Sequence, residues 1–537
     1  MSATAAAPAA ARAPSPAAAA PAAAQPFVEV PHRGLITLSV MLAMVMQILD
    51  MTIANVALPS MQNSLGAAQD TISWVLTSYI VASAIATPLT AWLAERFGRR
   101  QLFLATVAGF VAASALCGAA QSLEEMVLFR VLQGAFGAAL VPLSQATLFD
   151  LNPPERRGGA MALWGAGVMV GPILGPTLGG WLTEVASWRW AFYVNLPVGI
   201  LAFLGMFLYL PDTKRRARPF DLFGFAWLSI ALGAAQLLLD RGRQLDWFSS
   251  PEILIEAGIA ASALWIFLVH SLSAKEPFID LEVFRDRNFV SALLFIFLIS
   301  TTLFATMALL PPMMQQLYGY STISVGLLLA PRGFGTMAAM VVVGRLMNKI
   351  DARLLMLFGS ICVAISVWQM TAFAPVMTEM PFITTGIIQG FGFGFVFMPL
   401  NMLAFATLPA QLRTLGASVF SLVRNIGSAI GISIMVSTLA NSIQVNHAEL
   451  GERLTPFRQM PATSPIAEAA LAAGDPRLLT QLNGLVSQQS AFIAYLDDFK
   501  LMLIVTLATM PMLLLLRRPQ RPPVGARQVA PAPAAAE

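Results

Sequence analysis

Charged residues are scarce in this sequence. They make up only 11% of the 537 residues, whereas 57% of the residues are hydrophobic. A soluble protein carries about 25% charged residues, which cover its surface. The scarcity therefore excludes a chain that folds in water alone, and it indicates that lipid surrounds most of the protein.

Cysteine and histidine are also rare. Both cysteines, Cys117 and Cys362, lie inside apolar runs, which excludes a disulfide framework and a cysteine-based metal site. The three histidines are scattered along the chain, and the phosphate-binding pattern G-x-x-x-x-G-K-[ST] is absent. We therefore expect no metal site, no cofactor and no direct use of ATP. Because no catalytic residues cluster in the sequence, an enzyme is disfavoured.

Long apolar runs dominate what is present. Between residues 35 and 516 the sequence contains fourteen such runs of about 20 residues, the length at which a helix crosses the hydrocarbon core of a membrane. The short alternating segments of a β-barrel are missing. The sequence therefore predicts an all-α integral membrane protein with fourteen transmembrane helices. We expect the Ala- and Pro-rich residues 1–34 and the Arg- and Pro-rich residues 517–537 to be disordered tails.

The distribution of lysine and arginine predicts the orientation. If the N-terminus is cytoplasmic, most of the 32 lysines and arginines fall in cytoplasmic loops and tails, as the positive-inside rule requires. This bias is strong only for an even number of spans, so it favours fourteen spans with both termini in the cytoplasm. The net charge of +4 thus reflects topology, and nothing indicates binding of nucleic acid.

The chain also repeats itself. A basic segment, AWLAERFGRR at 91–100, follows the second span, and a similar one, GRLMNKIDAR at 344–353, follows the tenth. A six-span unit repeated around a two-span insert explains the spacing of eight spans, and such repeats are typical of secondary transporters. We therefore predict an N-terminal six-helix bundle at 35–210, two inserted helices with their loops at 211–288, and a C-terminal six-helix bundle at 289–516 that includes a polar external loop at 439–499.

Asp50 is the one carboxylate that we place well within a predicted span. A charge in the hydrocarbon costs about 2.5–3.5 kcal/mol on insertion scales, so its presence requires a reason. Burial disfavours the ionised form and a nearby cation favours it, which lets such a group exchange a proton near neutral pH. We predict that Asp50 couples transport to protons. The alternative is a structural carboxylate that is permanently paired with an arginine.

Arginines and amides inside the spans are further candidates. Arg130 either tunes a nearby carboxylate or braces the bundle. Arg332 and Arg424 either line a central cavity or lie near helix ends and extend to the membrane interface. The side chains that we consider for a cavity are those of Gln47, Asn55, Gln133, Arg332, Arg424 and Asn425.

Glycine is concentrated in the fifth span. Such a helix is pliable and lets neighbouring helices approach closely, although tight packing without any mechanical role is the alternative. The candidates for a hinge or a close helix contact are Gly134 in span four and, in span five, Gly171, Pro172, Gly175, Pro176, Gly179 and Gly180.

These motifs resemble those of the major facilitator superfamily, and within it the fourteen-span drug:proton antiporters of the EmrB/QacA type. Residues 91–100 resemble the loop motif G-x-L-a-D-r-x-G-r-r, with Ala91 in place of the glycine and Glu95 in place of the aspartate. Residues 50–59 match the span-one motif D-x-T-I-x-N-V-A-L-P, and 187–197 match another stretch that is typical of the group. Arg130 and Gly134 match the span-four motif, whereas the span-five motif G-x-x-x-G-P-x-x-G-G matches only loosely.

The resemblance, which is strongest to the EmrB branch, implies the major-facilitator fold and a proton-coupled multidrug efflux transporter of the bacterial inner membrane. It also implies a periplasmic adaptor protein and an outer-membrane channel as partners, for which we predict 439–499 as the docking surface. The alternative is a dedicated exporter of a siderophore, fatty acid or other endogenous metabolite. In the expected rocking mechanism Asp50 and Arg130 handle the proton, and a cytoplasmic latch joins the bundles through Glu95, Arg96, Gly98, Arg99 and Arg100.

Overall fold

The computed structural model describes residues 31–68, 71–153, 156–213, 215, 219–347, 349–453 and 476–516. Most of the two predicted tails lies outside these ranges. Within them the regular structure is helical, because a helix satisfies its own backbone hydrogen bonds in lipid. The α-helices are α1 (Arg33–Leu65), α2 (Trp74–Ala86), α3 (Leu89–Phe97), α4 (Arg99–Ala119), α5 (Leu123–Gly137), α6 (Leu140–Leu151), α7 (Arg157–Val185), α8 (Trp190–Tyr193), α9 (Asn195–Tyr209), α10 (Leu222–Arg241), α11 (Pro251–Ser273), α12 (Arg287–Tyr318), α13 (Thr322–Leu346), α14 (Ala352–Met370), α15 (Met380–Ala406), α16 (Arg413–Arg453) and α17 (Pro476–Thr509).

Many of these helices are suited to a membrane. In the described part of the chain, 11 helices are long and apolar enough to cross one, counting α5 with α6 and α8 with α9, and the pair α2–α3, bent by 55°, makes 12. The other two long helices, α7 and α17, take the places of predicted spans five and fourteen. The all-α membrane fold is therefore confirmed, and the structure is consistent with fourteen spans.

Helices α1–α9 pack together as an N-terminal bundle. In it α1 contacts α7 on one side and α9 on another, and α5 packs between α2 and α4. Glycine allows a close approach of α2 and α5, since a Cβ atom on Gly134 of α5 would lie 2.4 Å from the carbonyl oxygen of Tyr79 in α2. The sequence thus brings α2 and α5 into backbone contact.

Helices α12–α17 pack in the same pattern and form a C-terminal bundle. Here α12 contacts α16 and α17, as α1 contacts α7 and α9, and α15 packs between α13 and α14. The two bundles meet where α7 packs against α13 and α15, and where α3 and α6 pack against α16. The repeat in the sequence therefore has a counterpart in the packing.

The two remaining helices, α10 and α11, form an antiparallel pair beside the bundles. Helix α10 contacts both α2 and α16. Asp240 near its end accepts a hydrogen bond from the hydroxyl of Thr77 in α2, and the carbonyl of Leu239 accepts one from Ser433 in α16 at 2.9 Å. The inserted pair is thus bonded to both halves of the molecule.

The segment predicted as a polar loop, 439–499, is helical through much of its length. Helix α16 continues to Arg453 and α17 begins at Pro476, whereas residues 454–475 lie outside the described residues. The helix that contains most of the last apolar run therefore begins well before that run, and Asp498 lies inside α17, where it is 0% exposed. The prediction missed this because several charged residues precede the apolar run.

Candidate functional site

Asp50 lies in the interior of the N-terminal bundle, where it is 1% exposed. Its Oδ2 accepts a hydrogen bond from Nη1 of Arg130 at 2.8 Å. Its Oδ1 accepts bonds from Nε2 of Gln133 at 2.7 Å and from Nδ2 of Asn195 at 2.6 Å. We call these four residues the Asp50 cluster. The donors replace water around the carboxylate, which is the condition for burying an ion pair.

Arg130 connects three helices. Its Nη1 also donates to Oε1 of Gln133 at 2.8 Å, and its Nε donates to the carbonyl oxygen of Val75 in α2 at 3.0 Å. The guanidinium carbon lies 4.1 Å from the centre of the Tyr79 ring, a cation–π contact. Among the described residues Nη2 has no hydrogen-bond partner. A fully buried arginine with a spare donor can accommodate a rearrangement of its acceptors.

A second ring of polar groups supports the cluster. Asn195 donates to Oγ of Ser114 in α4 at 2.9 Å, and Ser114 donates to the carbonyl oxygen of Phe192 at 2.9 Å. Gln47 donates to the hydroxyl of Tyr79 at 2.9 Å. Asn195 falls in the stretch 187–197, but no pattern in the sequence connects it with Asp50. Ser114 carried no signal, because serine is common at helix contacts in membranes.

The cavity candidates of the N-terminal half lie in two different places. Gln133 and Gln47 are buried within the bundle, Gln133 as part of the Asp50 cluster. Asn55 is exposed. Five residues after Asp50, it lies about 140° further round α1, since a helix turns about 100° per residue. It therefore faces away from the Asp50 cluster.

The two arginines of the C-terminal half lie well inside their helices, α13 and α16. Arg332 is 5% exposed, and its Nε and Nη2 have no partner among the described residues. Arg424 is half-buried with an unpartnered Nε, and the neighbouring Asn425 is exposed. Neither arginine lies near a helix end. This favours the interpretation that they line a central cavity over the alternative that they extend to the membrane interface.

The glycines of α7 face α1 directly beside Asp50. A Cβ atom on Gly171 would lie 2.3 Å from Cγ2 of Ile48, and one on Gly175 would lie 2.0 Å from Oγ1 of Thr52. Gly179 is close to Ile53 in the same way, at 3.2 Å from its Cα. The other candidates of span five lie in the same helix: the half-buried Pro176 and Gly180, and Pro172, whose side chain is outside the described residues.

Basic residues gather at one end of the molecule, which we call the basic end and define by Arg96, Arg99, Arg100 and Arg413. Here Asp150, the penultimate residue of α6, accepts hydrogen bonds from Nη1 of Arg99 at 2.5 Å and from Nη1 of Arg413 at 2.6 Å. Arg99 also donates from Nε to Oγ1 of Thr414 at 3.1 Å. Because Arg413 and Thr414 begin α16, these contacts join the two bundles.

The predicted latch residues contribute unequally to this junction. Arg99 spans the bundles, whereas Arg100 pairs with Asp212 at 3.4 Å and donates to the carbonyl oxygen of Phe207 at 2.7 Å, both on its own side. Arg96 is exposed, and Glu95 is half-buried on α3. Gly98 separates α3 from α4 with a φ of 89°, a conformation that favours glycine. The sequence did not single out Asp150 as the acceptor.

Comparison with known proteins agrees with this architecture. The family model described as Major Facilitator Superfamily matches residues 40–432. The multidrug export protein EmrB of Escherichia coli (strain K12) is 37% identical over 461 residues, which cover 85% of this chain and 87% of the relative. The fatty acid resistance protein FarB of Neisseria gonorrhoeae is 35% identical over 486 residues, covering 90% and 96%.

Two solved structures share the fold. The human organic anion transporter MFSD10 (TETRAN) has a TM-score of 0.56 at 16% identity and covers 89% of this chain and 100% of its own. The proton:xylose symporter XylE has a TM-score of 0.54 at 14% identity, covering 88% and 96%. The family match and the two relatives establish that the chain is a transporter, not an enzyme. The chain belongs to the major facilitator superfamily and, within it, to the EmrB-type branch.

Proposed function

We propose that this protein exports amphipathic toxic compounds across the inner membrane in exchange for protons. The observation that carries the proposal is the Asp50 cluster, in which one buried carboxylate is held by Arg130, Gln133 and Asn195 in the interior of a transporter bundle. The similarity to EmrB, whose name describes multidrug export, supports the substrate class.

The proton acts through the hydrogen bonds of Asp50. A neutral carboxyl group attracts the guanidinium of Arg130 less than a carboxylate does, because the charge-assisted bond is lost. Arg130 would then shift toward its other acceptors, Gln133 and the Val75 carbonyl. Since these belong to α5 and α2, protonation would change how α1 packs against both helices. Substrate and proton would compete for the state in which Asp50 is ionised.

The junction at the basic end would control access from one side. With Asp150 bonded to Arg99 and Arg413, the two bundles are joined at that end. Export requires this junction to open, so that substrate can enter, and to close again before release on the opposite side. We propose that protonation of Asp50 changes the packing of α1 against its close neighbour α7. This change would shift the equilibrium between the open and the closed junction.

Orientation and energy source follow from the same proposal. The basic end would be cytoplasmic by the positive-inside rule, with both termini on that side. The proton gradient would drive transport without a bound cofactor. One charge that crosses 100 mV supplies about 2.3 kcal/mol, so one or two protons can sustain a large substrate gradient.

A periplasmic adaptor protein and an outer-membrane channel are the partners that we propose. The segment 439–499 would provide the docking surface, since α16 continues to Arg453 and is long enough to leave the membrane. Helix α16 has 41 residues, whereas about 20 suffice to span the hydrocarbon core.

A dedicated exporter of a fatty acid, siderophore or other endogenous metabolite is the second candidate. The similarity to FarB, whose name describes fatty acid resistance, favours it. A susceptibility panel of drugs and long-chain fatty acids in an efflux-deficient host, with and without the adaptor gene, separates the two. Protection against several unrelated drugs supports multidrug export, and protection against fatty acids alone supports the second candidate.

The coupling role of Asp50 is tested with the Asp50→Asn variant in proteoliposomes. We expect a proton gradient to drive no accumulation of ethidium by this variant, because the amide cannot exchange a proton. The matched control is Asp246→Asn, at an exposed position whose left-handed φ of 53° an asparagine also adopts. Gradient-driven transport by Asp50→Asn at the rate of the control would exclude Asp50 as the coupling group.

A further inference from the structure

The C-terminal bundle contains a counterpart of the Asp50 cluster with different chemistry. Gln389 in α15 corresponds by the repeat to Gln133 in α5, and it donates from Nε2 to Oγ1 of Thr306 in α12 at 3.3 Å. Asp50 and Gln133 are 83 residues apart, and so are Thr306 and Gln389. The hydroxyl group of Thr306 therefore occupies, in the C-terminal bundle, the position that the carboxylate of Asp50 has in the N-terminal bundle.

A carboxyl group nevertheless lies beside this place, on a different helix. Asp498 in α17 is 0% exposed, and neither of its carboxyl oxygens has a hydrogen-bond partner among the described residues. Met502 lies one turn later on the same face of α17, and its sulfur accepts a hydrogen bond from Thr306 at 3.5 Å. Asp498 therefore lies four residues, about 6 Å along α17, from the methionine that contacts the Thr306–Gln389 pair.

None of the titratable and charged groups on the helices around Asp498 donates a hydrogen bond that would stabilise its ionised form, as far as the described residues extend. Those on α17, besides Asp498 itself, are Arg477, Tyr495 and the pair Asp497–Lys500, in which Nζ of Lys500 lies 2.8 Å from Oδ1 of Asp497. The helices packed against α17 carry Arg287 and Tyr318 on α12, Arg353 and Cys362 on α14, and Arg413, Arg424, His447, Glu449, Glu452 and Arg453 on α16. Arg243, in the segment that follows α10, faces Tyr495. In the described part of the chain none of these donates a hydrogen bond to Asp498.

Burial without a partner favours the neutral form of this carboxyl group. A carboxylate shut away from water and from cations is costly, whereas the carboxylic acid loses much less on burial. In the N-terminal bundle Arg130 forms an ion pair with Asp50, whereas among the described residues no lysine or arginine donates a hydrogen bond to Asp498. The Oε1 of Gln389, a buried acceptor also without a partner among the described residues, lies in the same region.

We propose that Asp498 is a second proton-carrying group, protonated in the conformation described here, and that it carries one proton in addition to the one that Asp50 exchanges. This inference rests on the proposed function. Each cycle would bind one proton at the Asp498 carboxylate from water on one side and return it to water on the other. Export of a monovalent cation would then move a net positive charge inward.

The protonation state is tested by infrared spectroscopy on the purified full-length protein at neutral pH, without substrate. We expect the carbonyl band of a protonated carboxylic acid in the difference between the wild type and Asp498→Asn. The same difference taken with Asp497→Asn, the adjacent exposed carboxylate, should show a carboxylate band instead. A carboxylate band in the Asp498→Asn difference would overturn the proposal. This measurement stands even if the protein proves to transport nothing.

The transport consequence is tested in proteoliposomes that contain pyranine as an internal pH indicator, with ethidium as the probe. Asp498→Asn should lower the number of protons moved per ethidium from two to one, a twofold change, while ethidium uptake persists. Asp497→Asn should keep the wild-type ratio. An unchanged ratio in Asp498→Asn would overturn the second-proton role. If the wild type moves neither ethidium nor protons, the proposed function fails, and the infrared result still decides the state of Asp498.

Discussion

At the scale of single residues, Arg130 shows why a guanidinium is required in the Asp50 cluster. Its Nη1 and Nε reach acceptors on three helices, and its flat face lies against the Tyr79 ring. A lysine ammonium is a compact point charge on a flexible stem, and it cannot reproduce this planar fork. The charge alone is therefore not enough to hold α1, α2 and α5 together.

We predict that Arg130→Lys will slow proton-coupled efflux by about tenfold or more and will lower the melting temperature, because the buried Val75 carbonyl loses its donor and such bonds to charged groups contribute about 1.5–3 kcal/mol. The measurements are ethidium efflux from proteoliposomes and thermal unfolding in detergent. Arg285→Lys, at an exposed position outside the Asp50 cluster and the basic end, is the control and should behave like the wild type. Wild-type efflux and melting in Arg130→Lys would show that the fork geometry has no importance.

The sequence led to some of these residues and not to others. Asp50 and Arg130 could be predicted because a charge inside an apolar run is conspicuous and costly. Asn195 and Ser114 could not, since neutral polar residues are ordinary in membrane helices and their partners are distant in the chain. Asp498 was missed for another reason. Charged residues near it favoured a loop up to residue 499, so the last helix was predicted to begin after Asp498.

At the scale of helices, the contact between α1 and α7 depends on glycine. Gly175 lies against Thr52, and the carbonyl oxygen of Gly171 accepts a hydrogen bond from the same Thr52 hydroxyl at 3.2 Å. Thr52 is two residues from Asp50. A change in the packing of α1 would therefore alter its contact with α7, which in turn packs against α13 of the other bundle.

We predict that Gly175→Ala will destabilise the protein by about 1–3 kcal/mol, the usual cost of overpacking, and will reduce efflux. The added methyl group would lie 2.0 Å from Oγ1 of Thr52, so α1 and α7 must separate. Gly159→Ala in the same helix is the matched control, because its Cβ would meet nothing within 4 Å. Equal unfolding temperatures and efflux rates for the two variants would contradict this account of the contact.

The apolar runs were sufficient to predict most helices, but not the ends of α16 and α17. Hydropathy indicates how many residues of a helix lie in lipid. It does not indicate whether the helix continues beyond the lipid into water. Helix α16 runs to Arg453 and α17 starts at Pro476, both beyond the apolar runs that predicted them. Polar residues at helical spacing can form such extensions, and the sequence alone gave no reason to prefer them over a loop.

At the scale of the whole molecule, the junction at the basic end joins the two bundles through a single carboxylate. Asp150 is about one-quarter exposed and accepts bonds from two arginines, one in each bundle. Gln145 reinforces the junction from within, since its Nε2 donates to Oδ1 of Asn401 at 2.5 Å in fully buried surroundings. Opening at this end must break all of these contacts together.

We predict that Asp150→Asn will shift the population toward molecules open at the basic end by about 1–2 kcal/mol, or 5–30-fold. The measurement is the distance distribution between spin labels at Arg96→Cys and Gln411→Cys, both exposed, after replacement of Cys117 and Cys362 by serine. The longer distances should become more frequent. Asp212→Asn, which removes an ion pair within one half, is the control and should leave the distribution unchanged.

Helix α16 has a mechanical consequence for any protein that binds its far end. Its 41 residues make a continuous rod of about 60 Å, of which about half suffices to cross the hydrocarbon core. Tilting such a rod about the membrane centre by one degree displaces a point about 30 Å away by roughly half an ångström. A partner protein bound rigidly to the end of α16 would therefore be displaced with each conformational change of the C-terminal bundle. The stiffness of that partner would then influence the turnover rate of the transporter.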